Sequence, residues 1–464
     1  MTNGSALEYW AGLLAVILAV ASLGVYAAGK VRTADDFALA GRSSGVLMVM
    51  GTIVGTAVGA SSTVGTAQLA FKAGISAWWF CLGCCVGFVI MGFLYVKPLY
   101  FSRQTTVSQF LGLAYNQGAG IMASVFSALG IFFSAAASSL VLIPMLASCF
   151  SVSMEGGLAI TFILIVLYVA FGGAWATGLV GVFKAGLLYI VLGVCFFAAL
   201  KKVGGLSPIL TEFPSVPWFT LFPDGFFTNL AAGASTVIGV MSTQTYIQGM
   251  CSAKNERAAR LGMLFSGLFT LISALPAIWI GFFMRRLHPD IAPIDALPLF
   301  IMTYLPEWFA GVSVGMLIIA AVGSAAGLIL GMSTIVSSDI ISRLLPQFWQ
   351  KNKLLSNRAA LFAITFGTLL FTYRNNGALV LDWTILSMCL RGAGVFIPLC
   401  AALFWPGLFS PRYAAAAIAG GSLSALLWRI LFPSTLSPLY PGMLVSAVFM
   451  AIGYWKRQDA GSAG

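Results

Sequence analysis

Residues 44–70 read SGVLMVMGTIVGTAVGASSTVGTAQLA, and no charged side chain lies between Arg42 and Lys72. An α-helix rises about 1.5 Å per residue and needs about 20 mostly apolar residues to cross a bilayer, so this run is long enough to span one. Its interior is broken by small residues: Gly51, Gly55, Gly59 and Gly65, with Ser61, Ser62 and Thr63 between the last two. That pattern fits a helix that unwinds part-way. Unwound backbone at membrane depth is tolerated only where it is packed in protein or lines a cavity. The plainer reading is close helix packing, for which glycine is common in membrane helices.

Runs of the same kind recur along the chain. They fall at 8–28, 44–70, 75–96, 119–148, 157–173, 177–200, 228–250, 258–284, 309–338, 358–373, 379–404, 412–431 and 439–455. The spacing predicts an all-α membrane protein of about 13 transmembrane helices, with residues 1–464 forming one transmembrane domain. The runs are too long and too uniformly apolar for barrel strands. Of the 464 residues, 60% are hydrophobic and only 8% charged. A soluble domain carries roughly 25% charged residues, so this chain has too few to cover a water-facing surface. Glu8 precedes the first run and no basic segment opens it, which predicts a retained span and not a cleaved leader. The seventh run repeats the features of the second: Gly233, Gly239 and then Ser242-Thr243-Gln244-Thr245. Broken helices at matching positions of two halves point to a transporter binding site.

Charge sets the orientation. With the loop after the first span in the cytoplasm, fifteen of the 24 lysines and arginines fall inside and seven outside. Lys184 and Arg391 alone lie within spans. The short loops and compact chain predict a bacterial inner membrane, and the bias predicts an outside N-terminus and a cytoplasmic C-terminus. It also explains the net charge of +11 without nucleic acid. The eight cysteines, including Cys81, Cys84 and Cys85, read as helix contacts and not metal ligands, since His288 is the only histidine. No carboxylate falls near the middle of a span, which leaves no acid–base pair and argues against an enzyme.

Three stretches resemble the sodium:solute symporter family. Residues 35–76, DDFALAGRSSGVLMVMGTIVGTAVGASSTVGTAQLAFKAGIS, resemble its opening signature. Residues 243–260, TQTYIQGMCSAKNERAAR, resemble the loop after its second broken helix, and 320–339, AAVGSAAGLILGMSTIVSSD, its sodium-site helix. The resemblance implies a LeuT-type 5+5 inverted-repeat core with broken helices in spans 2 and 7. Residues 44–200 would form one repeat and 228–404 the other. An extra N-terminal helix at 8–28 would precede them and two C-terminal helices at 412–455 would follow. It also implies transport by alternating access, with a small solute as partner and Na+ or H+ as coupling ion, and no other cofactor.

The family's cation site, carried over by position, comprises the backbone of Gly55 and Val58 with Ala320, Gly323 and Ser324. A hydroxyl is common in the family where Gly323 stands here. On span 6 the family commonly has an aspartate and, three residues on, a glutamine; these read Gly181 and Lys184. Lys184 could place a fixed ammonium near the cation position, making coupling weak, absent or proton-based, since burial penalises the charged form of a lysine. Alternatively it could snorkel to the surface.

Arg391, in LRGAGVFIP, lies near mid-membrane with no acid at its depth. A charge there costs about 2.5–3.5 kcal/mol on insertion scales unless it faces a cavity or a partner. It either binds an anionic substrate or braces carbonyls left free by the broken helices. Ser61, Ser62, Thr63, Gln68 and Gln244 are the further substrate candidates, with Ser134, Ser138 and Ser139 able to face the same cavity. The expected function is secondary uptake of a small polar or carboxylate-bearing solute. A sodium-independent proton-coupled or exchange transporter, and a transporter-like solute sensor, are the alternatives.

Overall fold

The computed structural model describes residues 3–170, 172–375, 380–432 and 437–462. Among these residues the chain is helical throughout, and pairing of extended backbone is limited to one parallel bridge, Ser44 to Ala253. Among the described residues nine helices are long and apolar enough to cross a membrane, or ten if a pair bent by 49° counts as one.

The elements that build the site are, in chain order, α1 (Asn3–Ala28), α2 (Val46–Ala57), α3 (Val64–Ala73), α4 (Trp79–Ile90), α5 (Val107–Ala114), α6 (Gln117–Cys149), α7 (Met154–Val169) and α8 (Gly173–Val203). They continue with α9 (Phe226–Met241), α10 (Gln244–Cys251), α11 (Glu256–Leu287), α12 (Glu307–Ile335), α13 (Lys353–Arg374), α14 (Val380–Phe404), α15 (Pro411–Leu431) and α16 (Leu439–Ser462). The run at 44–70 is two helices: α2 ends at Ala57, Val58 leaves helical geometry (φ −93°, ψ 85°), and α3 starts at Val64. The bent pair is α9 and α10, which meet at Ser242-Thr243.

Helix α12 is the central post. Its residues are buried almost without exception, and α1, α2, α6, α7, α8, α10 and α13 all pack on it. Close approach of backbones sets several of these contacts, as expected where lipid offers no hydrophobic drive between helices. The α2–α8 crossing shows why Gly181 stands where the related family commonly has an aspartate. A Cβ at Gly181 would overlap the Gly51 carbonyl oxygen, and one at Gly55 would lie 2.9 Å from the Gly181 Cα. A carboxylate has no room at 181. Gly181→Ala is therefore expected to push α2 and α8 apart and to cost about 1–3 kcal/mol, the usual range for overpacking. Thermal unfolding in detergent would show it, and an unchanged midpoint would contradict this packing.

Two faces bound the bundle. One carries Arg42, Arg103 and Arg343 and is closed by short polar links. Helices start there on side-chain caps, with Thr106, Asn116 and Asn255 accepting from the backbone amides of Gln109, Ala119 and Ala258. The opposite face carries Lys72, Asp224 and Asp382 around a cavity of about 270 Å3.

Candidate functional site

Helix α2 ends inside the bundle, so the last-turn carbonyls have no following helical amide to accept from. They also form the negative end of the helix dipole, which attracts a cation. Lys184 of α8 supplies one. Its Nζ donates to the Gly55 carbonyl at 2.6 Å and to the Ala320 carbonyl of α12 at 2.8 Å. The Ser324 hydroxyl lies 3.5 Å away. The three donors of an ammonium thus meet three oxygens in a site where the lysine is 1% exposed.

The snorkelling alternative fails on this geometry. Lys184 lies eleven residues past the start of α8, about 16 Å along the axis, and its side chain points into the crossing of α2, α8 and α12. Of the five positions expected to hold a cation, Gly55, Ala320 and Ser324 are brought together around Nζ. Val58 ends α2 and is not a partner of the lysine.

Gly323 is explained by a residue that sequence reasoning missed. A Cβ at 323 would lie 2.9 Å from the Tyr168 hydroxyl and 3.5 Å from the Gly55 carbonyl oxygen. Tyr168 of α7 therefore occupies the space a hydroxyl side chain at 323 would use. Its own hydroxyl is buried and has no hydrogen-bond partner among the described residues. No sequence signal marked it beyond being a tyrosine in an apolar run.

The break between α2 and α3 is held by its own side chains. Thr63 donates to the Gly59 carbonyl at 2.7 Å, and Ser62 reaches the Ala57 and Gly59 carbonyls at 3.4 Å. These two hydroxyls are turned to the backbone. Ser61 instead meets Thr384 of α14 at 2.9 Å, and because Thr384 donates to the Val380 carbonyl, Ser61 is the donor of that pair. Gln68 lines the 270 Å3 cavity, together with Lys72, Trp79, Asp224, Asn229 and Asp382. Gln244 is not in that cavity. Its amide is taken up at the other face, accepting from the Val107 amide at 2.8 Å and donating to the Thr105 carbonyl at 3.0 Å. Of the serines on α6, Ser138 and Ser139 bond back to their own helix, whereas Ser134 meets Arg391.

Arg391 is 1% exposed. Nε donates to the Ser387 carbonyl at 3.1 Å, and Nη2 to the hydroxyls of Ser387 at 2.9 Å and Ser134 at 3.4 Å.

On the Arg42 face, Asp339 sits in a π-turn, Val336–Ile341, at the end of α12. It accepts from Thr106 at 2.9 Å, Gln109 at 2.9 Å and Ser124 at 3.1 Å, joining α12 to α5 and α6. Gln248 donates to the Ala38 carbonyl at 2.6 Å, and Arg42 to that of Arg103 at 2.8 Å. These bonds tie the elements of this face together, whereas the 270 Å3 cavity lies at the Lys72 face.

A model of the family described as "Sodium:solute symporter family" matches residues 37–423. The chain belongs to that family. Among curated proteins it is similar to the sodium/pantothenate symporter of Escherichia coli (strain K12), 23% identical, with 96% of each chain covered. It is also similar to a sodium/sialic acid symporter of Proteus mirabilis (strain HI4320), 22% identical over 72% of this chain and 71% of that one. Among solved structures, a substrate-bound, outward-open Na+-coupled sialic acid symporter superposes with a TM-score of 0.81 at 16% identity, covering 96% of both chains. The fold is therefore the LeuT-type symporter fold, the setting is a membrane, and the family's members are transporters of small solutes.

Proposed function

We propose that this symporter-family chain is a secondary uptake transporter in which the Lys184 ammonium occupies the cation position between the broken helix and α12. The observation that carries the reading is the pair of short contacts from Nζ to the Gly55 and Ala320 carbonyls. An ammonium there contributes the positive charge that a bound ion would otherwise bring, and it repels a second cation. Transport would then proceed without sodium at this site, by solute exchange or with Lys184 taking up and releasing a proton during the cycle. The solute would enter from the open cavity, past Gln68 and the Ser61–Thr384 pair, and move by alternating access.

Thirteen spans, ten of them in two inverted repeats at 44–200 and 228–404, fit this reading. So does an inner-membrane orientation with the Lys72 face outside and the Arg42 face cytoplasmic. A second reading keeps sodium coupling at a different position of the core, and the sodium symporters among the relatives favour it. A sodium titration tests the choice without a known solute. The purified full chain is expected to bind no 22Na+ above background at millimolar concentrations, and its unfolding midpoint should be the same in sodium and potassium chloride. Saturable 22Na+ binding by the unmodified chain would favour the second reading.

A further inference from the structure

The second buried cation of the core makes no ion pair among the described residues. Arg391 sits eleven residues into α14, about 16 Å along that helix, with the cavity at one end. The cavity reaches Asp382 and Ile385 of the same helix. From there inward, Thr384, Ser387 and Arg391 follow at helical spacing and form a polar strip on an otherwise apolar helix. Ser61 and Ser134 meet this strip from the broken helix and from α6. The aliphatic stem of Arg391 packs against α6 where residue 130 is glycine; a Cβ there would strike it.

A guanidinium has five N–H donors. Three are used, by Nε on Ser387 and by Nη2 on Ser387 and Ser134. All three partners are neutral. Both donors of Nη1 are buried and have no hydrogen-bond partner among the described residues. Leaving a buried charged donor unpaired costs more than leaving a neutral one. The bracing role would predict the opposite pattern, with the fork spread over carbonyls freed by the broken helices. Its sole carbonyl partner among the described residues is Ser387, one turn back on its own helix.

Resting on the reading of the chain as a solute transporter, we propose that Arg391 is the recognition site for a single carboxylate on the transported solute, which docks on Nη1. Along α14 the polar strip runs from the cavity-lining Asp382 and Ile385 to this charge, with the Ser61–Thr384 pair between them. The charge on the mouth of the cavity is mixed, with Lys72 beside Asp224 and Asp382, so selection for an anion falls to Arg391. With Lys184 already holding the cation position, a monoanionic solute would leave the core with one net positive charge fewer. Sodium is not needed to balance it.

The test is thermal unfolding of the purified full chain against pyruvate, pantothenate, nicotinate and N-acetylneuraminate, with pyruvamide and nicotinamide as neutral partners, in potassium and in sodium. Expected is a saturable rise with at least one of these carboxylates and none with the amides. Arg391→Lys, which keeps the charge but loses the fork, should weaken that response at least tenfold in apparent Kd, and Arg391→Met should remove it. Both variants must show a cooperative transition of their own. The proposal is overturned if no carboxylate shifts the unmodified chain, if the shift survives unchanged in Arg391→Met, or if chloride or iodide reproduces it. A carboxylate shift that appears only in sodium would remove the sodium-free reading and leave Arg391 in place.

Discussion

Lys184→Ala is expected to introduce a stabilising response to sodium. Removing the side chain leaves the Gly55 and Ala320 carbonyls and the Ser324 hydroxyl facing a space vacated by an ammonium. Hard cations prefer such oxygen clusters. In potassium the variant should be less stable than the unmodified chain, because a buried side chain is gone and acceptors are left without donors. In sodium part of that loss should return. A ligand at a hundred times its Kd adds about 2.7 kcal/mol to a folded state, a difference of a few degrees in midpoint. Lys184→Gln should restore less, since a neutral amide donates but brings no charge. Equal midpoints for Lys184→Ala in the two salts would sink the assignment.

Simply adding a serine at 323 would not complete the site. A Cβ there would lie 2.9 Å from the Tyr168 hydroxyl, so Gly323→Ser alone crowds the tyrosine. Combined with Lys184→Ala and Tyr168→Phe, the serine gains room. The triple variant is expected to bind sodium more tightly than Lys184→Ala alone.

These residues show how far the sequence could be read. The membrane class followed from apolar run lengths, and family membership from three quoted stretches whose order and spacing agreed. Lys184 stood out because it is charged within a span. Its direction did not, because α8 is apolar on all faces and the pattern cannot tell which side of such a helix faces the core. The Gly51–Gly181 contact fixed that rotation, and backbone-to-backbone approach leaves no mark beyond glycines that have several other uses. Gln244 was expected in the cavity as part of a polar stretch in a broken helix. Three-dimensional packing instead sent its amide to the Thr105–Val107 backbone at the opposite face. Tyr168 was invisible, since its role depends on an absent side chain on a helix far away in sequence. Asp339 was legible only as a helix-end marker.

Asp339 carries the second large effect. Its carboxylate accepts from Thr106, Gln109 and Ser124, and so ties the end of α12 to two elements on the closed face. Hydrogen bonds to a charged group are each worth about 1.5–3 kcal/mol, and bonds within one network do not add. Asp339→Ala also leaves three donors, two of them buried, without their acceptor. A loss of about 3 kcal/mol is expected, since each buried donor left unpaired costs about 1–3 kcal/mol. Because the broken contacts all lie on one face, the loss should act on closure before it acts on global unfolding. Cys251 reports this directly: it ends α10 close to that face, is 3% exposed, and its thiol is free. Alkylation of Cys251 in the native chain, followed by mass spectrometry of its peptide, should be at least tenfold faster in Asp339→Ala. Asp339→Asn keeps an acceptor oxygen and should fall between. If Cys251 stays as slow as in the unmodified chain while the midpoint drops, Asp339 supports the fold and does not hold the face shut. If Gln244→Leu, which cuts the neighbouring link to residues 105–107, accelerates the same thiol, the closed face is one cooperative latch with Asp339 at its centre.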